Sequence, residues 1–193
     1  MKLWNNSRQR WLKASMDRST NALSILDYAH HEIHDGNSWH IYDTSADMSA
    51  QVENALEIQF TTPAASVGLV HAIFGGYVGA AWLFDLREGQ TAGGANGAAI
   101  VTEVNRRRGS GDGVASHGMT FLKDSEVGTG GTVLMSKNYG SGSGPFAEGG
   151  TAREINEWVL AAATIYQVRA LSDNAVAGNL YMDFYLHVDK DTI

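Results

Sequence analysis

The chain has 193 residues, a formal net charge of -7, no cysteine, two prolines and 22 glycines. That length suits one domain, or a domain with an arm, and burial of roughly 70% of the unfolded surface makes a disulfide or metal unnecessary for folding. Without cysteine there are no disulfides, thiolate nucleophiles, iron–sulfur clusters or cysteine zinc sites, and a hydrophobic fraction of 44% excludes a disordered chain.

Residues 1–22 read as a basic arm. Lys2, Arg8, Arg10, Lys13 and Arg18 against Asp17 give residues 1–18 a charge of +4, and the rest of the chain carries -11. Leu3, Trp4, Trp11, Leu12 and Met16 add apolar anchors. Such a segment can dock on an acidic surface. The spacing of Trp4, Arg8, Trp11 and Ser15 also allows an amphipathic helix, so the arm is expected to be partly helical if it packs locally. Charge alone would allow contact with nucleic acid or membrane. The acidic remainder would repel phosphates, which argues against nucleic acid. No apolar run of about 7–15 residues marks a secretory signal, and none approaches the ~20 residues of a membrane span. The expectation is a soluble chain with no export signal of its own and no membrane partner.

Next comes Tyr28-Ala29-His30-His31-Glu32-Ile33-His34-Asp35-Gly36, the densest group of chemically capable side chains. On a strand His30, Glu32 and His34 share a face; on a helix His30 and His34 do. Either arrangement could offer ligands to zinc, nickel or copper. A zincin motif starting at His31 would need histidine at position 35, where aspartate stands. A strand entering a turn at Asp35-Gly36-Asn37 accounts for the same residues without metal, and a pH-responsive interface is a third possibility. His40, His71, His117 and His187 are scattered and read as structural.

The body beyond residue 22 reads as short strands. Leu56, Ile58 and Phe60 alternate with polar neighbours, the pattern of a half-buried strand. Weaker candidates are Val67–Phe74, Ala80–Leu86, Ala98–Val104, Gly118–Leu122 and Thr132–Asn138, each bounded by glycine, serine or asparagine. Glu53, Glu57, Asp85 and Glu88 supply carboxylates, but no spacing pairs them for glycoside chemistry. Within Glu154–Ser172, β-branched and aromatic residues favour two strands, 155–160 and 164–171, around an alanine turn. Leu180, Met182, Phe184, Leu186 and Val188 then alternate with Tyr181, Asp183, Tyr185, His187 and Asp189, giving one apolar face and one polar, aromatic-rich face.

Nineteen of the glycines lie between Gly75 and Gly150. Their runs match no phosphate loop, dinucleotide fingerprint or nucleophile elbow, so they read as turns and surface loops. Arg106-Arg107-Arg108 is the one dense basic spot of the body. Part of it must face solvent, as a solvated turn, an interface salt bridge or a phosphate contact. No motif calls for a cofactor.

The run Leu26-Asp27-Tyr28-Ala29-His30-His31-Glu32-Ile33-His34-Asp35-Gly36-Asn37-Ser38-Trp39 resembles the opening of a group of small tailed-phage virion proteins. Those begin with a similar His-His-Glu-Ile-His-x-Gly segment and a polar, aromatic patch. The resemblance continues through Leu56–Pro63, Ala163–Ser172 and Tyr181–His187, about residues 23–189 in all. The glycine loops and the basic arm fall outside it. It implies a phage structural protein, a head decoration (cement) protein above all, with a β-sandwich body and no catalytic residues to transfer.

The expected fold is therefore all-β: an antiparallel sandwich or jelly-roll body over 23–193, preceded by the arm. The expected function is non-enzymatic. The protein would bind and stabilise the head shell, with the major capsid protein or another virion protein as partner, and would reside in the virion assembled in the host cytoplasm. A homo-oligomer is expected, a trimer by analogy with decoration proteins at threefold sites. Trp4, Arg8, Arg10 and Trp11 would anchor the partner, with Arg106, Arg107 and Arg108 as a second contact. A tail, neck or fibre-base protein, or a cupin-like module holding metal on His30, Glu32 and His34, are the alternatives.

Overall fold

A computed structural model describes residues 2–5, 10–13, 33, 36–90, 102–107, 117–123, 131–140, 146–148 and 157–187. The chain forms two compact units, Met1–His31 and Glu32–Ile193.

In the first unit, β1 (Lys2–Asn5) and β2 (Arg10–Lys13) pair antiparallel, with Leu3 opposite Leu12 and Trp4 opposite Trp11. The described residues of this stretch are paired strands, not the helix that the spacing allowed. Tryptophan favours strands over helices, and here that preference prevails over the three-to-four spacing.

The second unit is built from eleven further described strands: β3 (Ser38–Ser45), β4 (Ala55–Thr61), β5 (Leu69–Val78), β6 (Trp82–Glu88), β7 (Thr102–Asn105), β8 (Thr120–Leu122), β9 (Thr132–Tyr139), β10 (Phe146–Glu148), β11 (Glu157–Leu160), β12 (Ile165–Leu171) and β13 (Gly178–His187). Helix among the described residues is limited to Ile33 and two 3₁₀ turns, Met48–Ala50 and Val52–Asn54. Every described pairing is antiparallel. The first sheet runs β5-β13-β3-β7, with β10 and β11 both on the outer edge of β5. The second runs β8-β4-β12-β6-β9. The fold is all-β and sandwich-like, as expected.

One apolar core joins the two sheets. The first contributes Trp39, Ile41, Phe74, Leu180, Met182 and Phe184; the second contributes Leu56, Ile58, Phe60, Phe84, Tyr166 and Val168. Phe60 meets Phe74 at 6.3 Å between ring centroids, and Phe121 meets Phe184 at 5.6 Å, so aromatic side chains bridge the layers. Each fully buried large side chain contributes about 1.5–3 kcal/mol.

The alternation that marks β12 and β13 in the sequence is the one that points inward. The alanine turn also forms, with Ala163 at φ 50 between β11 and β12. Two glycines are held by space. A Cβ on Gly76 would stand 2.9 Å from the Asn179 carbonyl and 3.2 Å from the Trp82 ring. Gly131, at φ 77, would place one 2.6 Å from the Glu88 carbonyl. The glycine runs at 91–97, 109–113 and 141–144 lie outside the described residues.

β4 departs from the half-buried pattern. Its polar residues Glu57 and Gln59 are as buried as its apolar ones, so both faces of this strand are covered.

Candidate functional site

Residues directly opposite each other in antiparallel pairs share a face, so the register defines what each sheet shows outward. On the first sheet the outward positions are Leu69, His71, Ile73 and Tyr77 of β5, and Tyr181, Asp183, Tyr185 and His187 of β13. They are joined by His40 and Tyr42 of β3 and by Glu157 and Val159 of β11. Leu69, Tyr77 and Val159 are among the most exposed large hydrophobic side chains described, Val159 at 58%. Val67, immediately before β5, is another. Val67, Leu69 and Val159 lie towards one end of this face and Tyr77 towards the other.

Polar partners on this face are paired across strands. His40 Nδ1 lies 2.9 Å from Asp183 Oδ1. His71 Nδ1 lies 2.7 Å from Glu157 Oε1. The Tyr185 hydroxyl donates to that same carboxylate oxygen at 2.5 Å and sits 3.1 Å from His71 Nδ1. A proton on His71 Nδ1 satisfies all three groups, with Glu157 accepting twice. The His71 ring also stacks on Tyr185 at 4.8 Å and meets His187 at 5.6 Å. This arrangement ties β11 to the sheet.

The outward face of the second sheet is different in kind. Glu57, Arg169 and Asp85 form one cross-strand row; Gln59, Gln167 and Arg87 form the next. Arg169 Nη2 bonds Glu53 at 2.6 Å, and its Nε lies 3.8 Å from Glu57. Arg87 Nε bonds Asp85 at 2.6 Å. Burial pushes the Arg169 guanidinium below its ordinary pKa, and Glu53 and Glu57 counteract that. Three of the four carboxylates noted in the sequence thus converge on arginines, which suits a structural network rather than acid–base chemistry. Glu88 instead accepts from the Tyr166 hydroxyl at 2.5 Å. Burial first, then that bond, raises the Tyr166 pKa, while the bond from Ala161 N lowers it. A third histidine, His117, lies almost fully buried against Glu103, with Met119 N donating to its Nδ1 at 3.0 Å.

Of the residues singled out in the sequence, Trp4, Arg10 and Trp11 lie on the paired strands of the first unit. Arg8, Arg108, His30, Glu32 and His34 lie outside the described residues. Arg106 and Arg107 follow β7 directly. Arg106 N donates to the Ser38 carbonyl at 2.9 Å and its side chain is half-buried, whereas Arg107 is exposed. At least part of the triplet therefore faces solvent, as expected. No group of three or more metal-ligating side chains occurs among the described residues.

The histidine–carboxylate pairs were not foreseen. His40 and Asp183 are 143 positions apart, and no local pattern connects them. The one available signal was the polar, aromatic face of the last strand.

No protein-family profile, curated protein or solved structure matches the chain.

Proposed function

We propose that this protein is a non-enzymatic structural component of a tailed-phage virion, a decoration protein that binds and stabilises the head shell. The single observation that carries this reading is the outward face of the first sheet. It exposes Leu69 and Val159 towards one end of β5 and Tyr77 towards the other, with its histidines, carboxylates and Tyr185 engaged with one another. Such a face contributes contact area rather than chemistry.

The body is a jelly roll in this proposal. Taking β10 and β11 as one position, the strands in chain order β3, β4, β5, β6, β9, β10/β11, β12, β13 fall as first, eighth, third, sixth in one sheet. The other sheet holds second, seventh, fourth, fifth. With the short edge strands β7 and β8 set aside, that interleaving supports the double Greek key of capsid and lectin domains and of cupins. Fold alone does not choose among them. The cupin alternative requires several polar ligands turned inward, whereas the described inward positions are mainly a packed apolar core, with the buried His117–Glu103 pair as an exception. The resemblance of the 26–39 segment to phage virion proteins then favours the virion. The basic arm would grip acidic shell or a neighbouring copy in a homo-oligomer, and binding only the assembled shell adds stability by mass action.

Co-sedimentation with shells from which the protein has been removed tests the proposal. The full-length chain should pellet with shells, and a Leu69→Asp/Val159→Asp variant should bind at least tenfold more weakly. A full-length chain that stays in the supernatant overturns the head assignment. Co-purification with isolated tails would then favour the tail or neck alternative.

A further inference from the structure

A hollow of about 440 Å³ opens at one end of the second sheet, away from any group used above for shell binding. Its apolar lining includes Leu83 and Leu171, neighbours across β6 and β12 on the outward face. Asn138 at the end of β9, and Asp173 and Asn174 of the β12–β13 connection, supply its polar groups. The volume lies in the range of small-molecule sites, roughly 300–1,000 Å³.

The polar groups are held from behind. Asn54 Nδ2 donates to Asp173 Oδ1 at 3.0 Å, and the Asn54 carbonyl accepts from Ser172 N at 2.9 Å. Asn174 Nδ2 donates to Ser172 Oγ at 3.2 Å, and that hydroxyl donates to the Ala81 carbonyl at 2.9 Å. Asn54 and its neighbour Glu53 both sit in the left-handed region, at φ 53 and φ 52. Two consecutive non-glycine residues there are strained, and strain of this sort persists only where surrounding contacts over-determine it. Here Arg169 clamps Glu53 and Asp173 clamps Asn54.

The Asn138 side chain is exposed, so its amide is open to a ligand. Asp173 uses one carboxylate oxygen on Asn54, so acceptor capacity remains. An amide that both donates and accepts, beside a carboxylate acceptor, matches vicinal hydroxyl groups, which do both as well. Leu83 and Leu171 match the C–H face of a pyranose ring. A lone carboxylate without a facing cation disfavours an anion, and three hard oxygen groups short of a full shell disfavour a divalent metal.

We propose that this hollow is a binding site for a neutral saccharide, recognised through Asn138, Asp173 and Asn174 over the Leu83–Leu171 floor. It does not depend on the shell-binding proposal. Few polar contacts on an open site give millimolar affinity.

The test is a ¹H–¹⁵N titration of the full-length chain with methyl α-glucoside, methyl α-mannoside, methyl β-galactoside and N-acetylglucosamine, one at a time. At least one should give saturable shifts confined to the amides around Leu83, Asn138, Asp173 and Asn174. Asn138→Ala should weaken that binding about tenfold, and Asp173→Asn, which keeps an acceptor for Asn54, should weaken it with the spectrum otherwise unchanged. Absence of saturable shifts with all four sugars overturns the proposal. So do shifts scattered over the whole surface, or equal affinity in both variants.

Discussion

Arg169 is the buried cation of the second sheet, and replacing it with methionine tests whether the outward polar rows hold that sheet together. Three carboxylates stand around it, and they do not weigh equally. Glu53 is 42% exposed, so its ion pair contributes about 0.2–1 kcal/mol. Asp85 keeps Arg87 at 2.6 Å and stays paired after the substitution. Glu57 is the buried carboxylate that loses this cation: its side chain is 3% exposed and lies 3.8 Å from the guanidinium. At an effective dielectric of about 20, charges at that separation attract by about 4 kcal/mol. Breaking a buried pair costs up to about 3–5 kcal/mol. Against a domain stability of about 5–15 kcal/mol that is a large share. With a urea m-value of about 2 kcal/mol/M it moves the midpoint down by about 2 M. Arg169→Met combined with Glu57→Gln also removes the carboxylate that has lost its arginine and should recover more than half of the loss. Urea unfolding followed by tryptophan fluorescence measures both. An Arg169→Met protein within about 1 kcal/mol of the parent, or a double variant no better than the single, refutes the reasoning.

Three further outcomes are expected. Tyr166→Phe removes the hydrogen bonds to Glu88 and from Ala161 N and should cost about 0.5–1.5 kcal/mol at neutral pH. The native state raises the Tyr166 pKa, so its contribution is complete below the unfolded value of about 10 and is lost as pH climbs above it. Urea midpoints of the parent should therefore fall more steeply above about pH 10 than those of Tyr166→Phe; parallel slopes would contradict this. Gly131→Ala should destabilise by about 1–3 kcal/mol, since its Cβ would meet the backbone of Glu88 and Gln90 at 2.6 and 2.8 Å; a thermal midpoint equal to the parent's would show that this turn relaxes. Deleting residues 1–20 should leave a cooperatively unfolding body but weaken shell binding, because the deleted segment carries the whole +4 charge; unchanged binding in a salt titration removes the arm from the account.

The alternating strands were legible because period two and a buried face coincide. β12 and β13 carry Tyr166, Val168, Leu180, Met182 and Phe184 inward, as their spacing indicates. β3 went unread although Trp39 and Ile41 alternate with His40 and Tyr42, because the histidines upstream drew the reading toward metal chemistry. The strand pair was missed because tryptophans seven apart fit a helix stripe as well as a register pair. Glu57 and Gln59 looked solvent-facing; no sequence rule indicates that an arginine 112 positions away in the chain will cover one of them. The hollow joins residues from β6, β9 and the β12–β13 connection, a meeting that only the sheet order creates.

The most direct measurement of the central claim is a cryo-electron-microscopy comparison of particles made with and without this gene. Surface density on the head that disappears when the gene is deleted, with heads that rupture at lower temperature, is the predicted result. Identical heads in both preparations would contradict it.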